Sequence, residues 1–249
     1  MIFEATYFGS SSWFINLDGL RILIDPWLTG DLFFAPGPWL INGRLNTKIT
    51  VPKTIDLLLL TQGLPDHAHP ASLKLLDRSI PSICSYSAGR VLEKLGFSNK
   101  TSLKPGQSKN LDQTFIEATE GAAVPGLENG YIVSSKNFSF YIEPHGFLDE
   151  KIKPRRLDAV FTPVINLKLP LAGAFIKGKY VLPKLIKKFQ PKKVFASTTG
   201  GDASFTGLLN YLISIDGCNE EASNFIKDKA EFINPKVGEI YQLNDYINQ

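Results

Sequence analysis

The chain has 249 residues and carries 27 Lys and Arg against 24 Asp and Glu, which gives a net charge of +3. With 43% apolar and 20% charged residues, the composition is that of a globular protein and excludes a disordered chain or a coiled coil. No apolar run approaches the roughly 20 residues that span a bilayer. No secretion signal opens the sequence, and Cys84 and Cys218 have no paired spacing, so we expect a cytoplasmic protein.

Three short strands open the predicted fold. Apolar residues alternate over residues 2–8, 12–16 and 21–24, and short turns separate these segments. Pro26 ends the third strand because it has no N–H to donate to a ladder, and it favours an extended backbone at Asp25. The pattern predicts a β-meander.

A region of alternating strands and helices follows the meander. A long loop, rich in aromatic residues and prolines, first runs to about residue 51 and is typical of a lid or binding loop. Residues 56–60 then form a continuous apolar run, which predicts a central strand buried on both faces. Helical spacing at 70–76 and 87–95, with a short strand around Ile83 between them, gives the order strand, helix, strand, helix.

The second half of the chain repeats this organisation. Its predicted elements are strands at 115–118, 131–133, 138–142, 159–161 and 194–196, and helices at 181–189, 208–215 and 220–229. A meander followed by strand–helix crossings, twice over, predicts a mixed α/β fold in which two sheets lie between outer helices, a four-layer αββα sandwich. We expect residues 1–249 to form a single domain.

The three histidines are the candidates for metal binding or catalysis. His67 and His69 lie beside Asp66 in the loop after the buried strand, and His145 lies two residues after Glu143 at the end of a later strand. Residues i and i+2 at a strand end point to the same side, so Glu143 and His145 can face one point. Imidazole and carboxylate are usual zinc ligands, and three such ligands with one water make a catalytic site. The five residues suffice for one metal ion.

Residues 56–67, DLLLLTQGLPDH, resemble the strand and metal-binding loop of the metallo-β-lactamase superfamily, which reads as an apolar strand followed by Thr-His-x-His-x-Asp-His. Residues 9–27 resemble the opening of its lactonase-like branch, whose members hydrolyse sugar-phosphate lactones. Residues 104–107, KPGQ, resemble a mid-chain turn of that branch, and residues 140–145, FYIEPH, fall where the superfamily has Tyr-x-Gly-Asp-Thr. The resemblance covers residues 2–200 and implies the same αββα fold.

The chain departs from the family pattern in its metal ligands. Gln62 and Leu64 stand where the family has the first two histidines of one metal site, and leucine cannot coordinate a metal. No histidine lies in the span 118–130, where the family supplies a third ligand. Asp66 and His67 match ligands of the second metal site. The usual two-metal mechanism therefore does not carry over to this sequence.

A single rebuilt metal site is the first of three hypotheses. The resemblance puts Glu143 near the family's bridging carboxylate and gives no counterpart to His69 or His145. The ligands of the rebuilt site would come from Asp66, His67, His69, Glu143 and His145. One divalent metal, zinc in preference to manganese or iron, would activate a water for hydrolysis of a lactone, an ester or a phosphoester.

The two other hypotheses need no metal. In one, Asp66 with His67, or Glu143 with His145, acts as a general acid–base pair, because an oriented imidazole titrates near the operating pH. In the other, the chain is a non-catalytic descendant of the fold that binds a ligand or a partner. For catalysis we expect Asp66, His67 and His145 to act.

Three further polar residues are expected to support the site. Asp25 matches the family's Asp-Pro after the third strand, where hydrogen bonds from its carboxylate would brace the metal loop. Gln62 lies in that loop, at the position of a lost histidine. Asp202 ends the segment TTGGD, residues 198–202, which favours a plain glycine turn but could also present N–H groups to an anion.

Charge is unevenly distributed along the chain. Residues 151–193 hold twelve Lys and Arg and one acid, Asp158, which favours an anionic small-molecule substrate if this block faces the histidines. No aromatic ladder or nucleic-acid motif accompanies it, so specific nucleic-acid recognition is not expected. A homo-oligomer is compatible with the sequence.

Overall fold

Two seven-stranded β-sheets, with a shared core between them, form the centre of the molecule. The structure is a computed structural model and describes residues 1–123, 126–198 and 203–244. In chain order the strands are β1 (Phe3–Gly9), β2 (Ser12–Leu17), β3 (Leu20–Ile24), β4 (Leu32–Phe33), β5 (Asn42–Leu45), β6 (Leu57–Leu60), β7 (Ser82–Cys84), β8 (Lys100–Ser102), β9 (Ser108–Leu111), β10 (Thr114–Ala123), β11 (Leu127–Ser134), β12 (Ser139–Ile142), β13 (Ala159–Thr162), β14 (Asn166–Leu169), β15 (Gly173–Lys177), β16 (Lys193–Ala196), β17 (Ala203–Thr206), β18 (Ser214–Asp216), β19 (Glu231–Ile233) and β20 (Ile240–Gln242). The helices are α1 (Pro70–Leu73), α2 (Tyr86–Lys94), α3 (Gly178–Phe189), α4 (Leu208–Leu212) and α5 (Asn219–Ile226). None of these helices, within the described residues, is long and apolar enough to cross a membrane.

Each large sheet combines an antiparallel meander with parallel strands. The strand order is β20-β1-β2-β3-β6-β7-β8 in the first sheet and β19-β16-β13-β12-β11-β10-β9 in the second. Strands β1 to β3 pair antiparallel, whereas β6, β7 and β8 are added in parallel. Strands β9 to β12 form the second meander, and β13, β16 and β19 are added in parallel. The predicted sequence of two meanders, each followed by strand–helix crossings, is confirmed.

Alternation of apolar side chains along the strands builds the core. In β6, Leu57 and Leu59 join the core between the two sheets, whereas Leu58 and Leu60 face the outer helices. In β13, Phe161 joins the central core. A strand buried on both faces has no polar side, which explains the unbroken leucine run of β6.

Helices cover the outer face of each sheet. Leu73 of α1 and Leu92 of α2 pack with Leu58 on the first sheet. Phe189 of α3 and Ile226 of α5 pack on the outer face of the second sheet. The order helix, sheet, sheet, helix confirms the predicted αββα sandwich.

The segments between these layers contain more strands than the sequence predicts. The long loop predicted up to about residue 51 includes β4 and β5, which form a three-stranded sheet with β17. The helix predicted at 208–215 is wrong in its second half, because α4 ends at Leu212 and residues 214–216 pair with β14 as β18. That pairing gives the backbone groups of β18 partners on the small sheet of β14, β15 and β18. The helix predicted at 70–76 ends at Leu73.

Candidate metal centre

The loop after β6 holds His67 in one orientation. The ring is fully buried, and its Nδ1 lies 2.8 Å from Asp25 Oδ2. Because a carboxylate only accepts, a neutral His67 donates its ring proton to Asp25 and keeps a free lone pair on Nε2. Asp25 is fixed by Thr61, whose N–H and hydroxyl donate to its two oxygens at 2.8 and 2.5 Å. A carboxylate behind the ring is the usual means of orienting a metal-binding histidine.

The backbone of Asp25 differs from the prediction. Pro26 favours an extended residue before it, but the φ angle of Asp25 is +42°, in the left-handed region. Aspartate tolerates this region better than most residues, and the bonds with Thr61 and His67 hold it there. Strain of this kind, about 1–3 kcal/mol, persists where the surrounding contacts over-determine the backbone. Here those contacts fix the direction of the Asp25 carboxylate.

The end of β12 brings Glu143 and His145 to the same place from the second sheet. The buried Glu143 carboxylate accepts backbone N–H bonds from Ala122 at 3.3 Å, His145 at 3.1 Å and Phe147 at 2.6 Å. These bonds hold residues 143–147 in a tight turn. The turn places the His145 ring centroid 5.1 Å from that of His67.

Glu128, near the start of β11, is the site residue that the sequence prediction missed. Its side chain is 1% exposed, and Oε2 lies 2.9 Å from His145 Nδ1. The N–H of the next residue, Asn129, donates to the Thr61 carbonyl at 3.1 Å, so β11 adjoins the metal loop of the other sheet. The family pattern directs attention to histidine in this span. The one local feature, an acidic residue three positions before the apolar segment 131–133, does not by itself indicate a ligand.

Five side chains converge at this junction of the two sheets. Possible ligand atoms of Asp66, His67 and His145 all lie within 4.8 Å of one another. The same holds for Glu128, Glu143 and His145. His145 belongs to both sets and therefore links the metal loop to the carboxylates of the second sheet. Asp66 is the most accessible of the five, with 22% of its side chain exposed.

Several atoms of this group are buried and have no hydrogen-bond partner in the described ranges 1–123, 126–198 and 203–244. They are Asp66 Oδ1, His67 Nε2, His145 Nδ1 and both carboxylate oxygens of Glu128. His67 Nε2 lies 3.2 Å from Asp66 Oδ2, but that contact, like the one between His145 and Glu128, lacks hydrogen-bond alignment. Such atoms are rare because leaving one unpaired costs about 1–3 kcal/mol. Imidazole and carboxylate donors facing one small space fit a divalent cation such as zinc, manganese or iron(II).

The electrostatics of the group fit the same interpretation. Burial raises the pKa of Glu128 to about 9 and that of Glu143 to about 7. Burial lowers the pKa of His67, but nearby carboxylates, Asp66 first, outweigh it and raise that pKa well above its usual value. Burial lowers the pKa of His145, and the positive charge of His67 adds to this effect. A cation held between them would offset the burial of the carboxylates.

His69 lies outside this group. Its Nδ1 accepts from the Ser72 N–H at 3.4 Å and contacts the Ser72 hydroxyl at 2.9 Å, while Nε2 lies 3.3 Å from the Asp31 carbonyl. Helix α1 begins with Pro70, so His69 occupies the capping position and its ring is turned to the helix end. The structure does not bring His69, an expected metal ligand, into the converging group, because both of its ring nitrogens are engaged elsewhere.

The other expected site residues have different positions. Gln62 is 3% exposed; as far as the described residues go, its Nε2 has no hydrogen-bond partner and it is not among the converging ligand atoms. Leu64 lies half-buried along a groove beside α2. Asp202 lies outside the described residues. Before it, the Thr198 hydroxyl donates to the Pro144 carbonyl at 2.8 Å and so braces the turn after β12.

The basic segment 151–193 is largely neutralised by ion pairs. The Asp216 carboxylate, for example, forms ion pairs with Lys168 Nζ at 2.6 Å and with Lys179 Nζ at 3.1 Å. The cations of the segment that pair with a carboxylate are Lys151, Arg155, Lys168, Lys179, Lys184, Lys188, Lys192 and Lys193. A paired surface does not present a field of one sign. The segment therefore does not supply the argument for an anionic substrate that its sequence suggested.

Comparisons with known proteins agree with this architecture. The sequence profile of the family described as "Beta-lactamase superfamily domain" matches residues 4–197. A UPF0173 metal-dependent hydrolase of Haloquadratum walsbyi is 26% identical over 153 residues, or 61% of this chain and 56% of that protein. The chain thus matches little more than half the length of this curated relative.

Solved structures of two enzymes share the fold. An isothiocyanate hydrolase from Delia radicum gut bacteria is 18% identical with a TM-score of 0.70, and the match covers 96% of this chain and 98% of that chain. CmlA, a diiron β-hydroxylase from Streptomyces venezuelae, is 16% identical with a TM-score of 0.70, and the match covers 98% of this chain and 54% of that chain. On the sequence profile and this architecture, the chain belongs to the β-lactamase superfamily and has the metallo-β-lactamase fold.

Proposed function

We propose that this protein is a metal-dependent hydrolase with a rebuilt metal site. The observation that carries the proposal is the convergence of buried imidazole and carboxylate atoms, without hydrogen-bond partners, from both sheets. The name of the Haloquadratum relative, a metal-dependent hydrolase, supports it. As substrate we propose a small molecule with a lactone, ester or phosphoester bond.

The proposed ligands are Asp66, His67, Glu128 and His145. Glu143 supports them, because three of the roughly four lone pairs of its carboxylate already accept backbone N–H bonds. We propose one ion for this set, because His145 belongs to both groups of converging atoms. Zinc suits a mixed set of imidazole and carboxylate donors, and manganese and iron(II) are the alternatives.

Side chains of the chain itself prepare the proposed reaction. A bound divalent metal would polarise the substrate's carbonyl or phosphoryl oxygen and lower the pKa of a water. Asp25 keeps His67 in one tautomer, so that Nε2 stays available as a donor atom. Asp66 Oδ1 has no hydrogen-bond partner and belongs to the most accessible side chain of the group. We assign to this oxygen the proton of the attacking water.

Elemental analysis of untagged protein tests the metal site. We expect about one metal ion per chain in the wild type and loss of most of it in His67→Ala, His145→Ala and Glu128→Gln. His69→Asn is the matched control: it removes a buried imidazole outside the group, and asparagine can still cap α1. This control should retain the metal.

A wild-type chain that binds no metal after incubation with zinc, manganese and iron(II) would contradict the proposal. Metal-free acid–base chemistry or a binding role would then remain. If metal binds, the loaded protein is assayed with lactones, esters and phosphoesters, and hydrolysis should disappear in Asp66→Asn.

A further inference from the structure

An open groove lies between the metal loop and helix α2. Its volume is about 440 Å³. Residues 62–64 of the metal loop line one part of it, and Ser87, Arg90 and Lys94 of α2 line another. The two walls are in direct contact at Gly63, where an added Cβ would lie 2.6 Å from the Ser87 carbonyl group. The groove is therefore built into the packing of the loop on the helix.

Two unpaired cations face this groove. Arg90 and Lys94 are one helical turn apart on α2, and both are exposed. Neither makes an ion pair or a side-chain hydrogen bond with any residue that the structure describes. No carboxylate among the residues that the structure describes lines the groove, and the nearby Glu93 lies 3.8 Å from Lys100 Nζ. These cations thus differ from those of the segment 151–193, most of which have acidic partners.

Polar groups line the groove beside the cations. Gln62 is only 3% exposed, and its Nε2 has no hydrogen-bond partner among the described residues. Ser87 Oγ accepts the Gly63 N–H at 2.9 Å and lies 3.1 Å from Ser85 Oγ. An unsatisfied buried donor next to two unpaired cations is a site for an acceptor with negative charge.

The chain path connects this groove to the proposed metal ligands. Asp66 follows the lining segment 62–64 by two residues, and Glu128 follows Gly126, another lining residue, by two. Both segments that carry the ligands thus leave from the edge of the groove. In each segment the lining residues and the proposed ligand are two positions apart.

We propose that the groove binds an oxyanion group of the substrate, a phosphate or a carboxylate, between Arg90 and Lys94. Arg90 offers a planar pair of N–H donors and Lys94 a compact charge, and both suit such a group. The Gln62 amide supplies a further donor. The assignment of the anion to the hydrolysed molecule rests on the proposed function. The presence of an anion site in the groove is independent of it.

Anion titration of chelator-treated protein tests this site. Inorganic phosphate and acetate are titrated at low ionic strength, where exposed charges are least screened, and followed by ¹H–¹⁵N NMR. We expect saturable shifts at α2 and Gln62, and an affinity at least about tenfold weaker in Arg90→Gln/Lys94→Gln. The control is Lys53→Gln/Lys109→Gln, which removes two exposed cations elsewhere and should bind as the wild type does.

The two anions and the metal content separate the outcomes. Stronger binding of phosphate supports a phosphorylated ligand, and stronger binding of acetate supports a carboxylate ligand. No saturable shift at the groove with either anion, or equal affinity in wild type and Arg90→Gln/Lys94→Gln, would overturn the proposal. The metal content of this variant should equal that of the wild type, so failure of the metal site is observed separately.

Discussion

The contact between Asp25 and His67 determines how the metal loop presents its histidine. In Asp25→Asn, asparagine keeps the tolerance for a left-handed backbone, but its amide group cannot accept from both Thr61 and His67. We expect the affinity for the metal to fall about 10–100-fold and the free energy of unfolding to fall by about 1–3 kcal/mol. Competition with a chelator of known affinity and urea unfolding measure the two effects.

A nearby aspartate gives the control for this change. Asp31 lies on the same loop and pairs with Arg44 at 3.0 Å, but its side chain is partly exposed. Asp31→Asn should leave the metal affinity unchanged and alter stability by less than about 0.5 kcal/mol. If Asp25→Asn lowered stability but not metal affinity, Asp25 would serve the fold alone.

At this scale the sequence indicates only part of the site. Asp66, His67, Glu143 and His145 are recognisable because they end apolar strands or match a motif, and the structure brings them together. Glu128 is not recognisable, because its place depends on β11 meeting the metal loop, a contact between residues 61 and 129. A ligand on a strand that is distant in sequence has no characteristic spacing from the other ligands, so the sequence alone does not indicate it.

At Gly130, strand β11 packs closely against residues around the site. A Cβ at Gly130 would lie 2.6 Å from Thr119 Oγ1 and 3.2 Å from both Glu143 Cγ and the Tyr141 hydroxyl. Gly130→Ala should therefore lower the free energy of unfolding by about 1–3 kcal/mol through overpacking. It should also weaken metal binding, because relief of the contact displaces Glu143. Urea unfolding and chelator competition measure the two effects.

Gly126, which directly precedes β11, is the control that separates overpacking from the backbone effect of replacing a glycine. Within the described part of the chain, no atom lies within 4 Å of the Cβ position that Gly126 would have. Gly126→Ala should therefore change stability by less than about 0.5 kcal/mol. Wild-type stability in Gly130→Ala would show that the strand can move away, and that Glu143 is not held by this contact.

The elements with strong patterns were predictable, and those without were not. The leucine run of β6 and the apolar spacing of α2 and α3 depend on burial against a sheet, which leaves a clear pattern. Strands such as β5, β17 and β18 are short and partly exposed, so their pairing arises from tertiary contacts. In β18, residues 214–216, pairing with β14 overrides the helical spacing of the sequence.

At the scale of the whole molecule, the site joins the two sheets. Asp66 and His67 follow β6 of the first sheet, whereas Glu128 belongs to β11 and His145 follows β12 of the second. Polar contacts cross between the sheets at this edge; one is the Tyr131 hydroxyl, which donates to the Leu60 carbonyl at 3.0 Å. A metal held by ligands from both sheets would add a cross-link at this edge.

Metal removal should therefore lower the thermal stability of the whole molecule. A ligand present at 100 times its Kd stabilises the native state by about 2.7 kcal/mol, and for a chain of this size each kcal/mol shifts Tm by about 2–4 °C. We expect a chelator to lower the Tm of metal-loaded wild type by about 5–10 °C, measured by calorimetry. In Glu128→Gln, a nearly isosteric change that removes one proposed ligand, the metal-free Tm should not fall, because burial raises the pKa of Glu128 to about 9 and the metal-free side chain is then neutral, as glutamine is. The response of Tm to metal should largely disappear in this variant. An undiminished response would exclude Glu128 from the ligands, and an unchanged Tm in chelator-treated wild type would show that no metal joins the sheets.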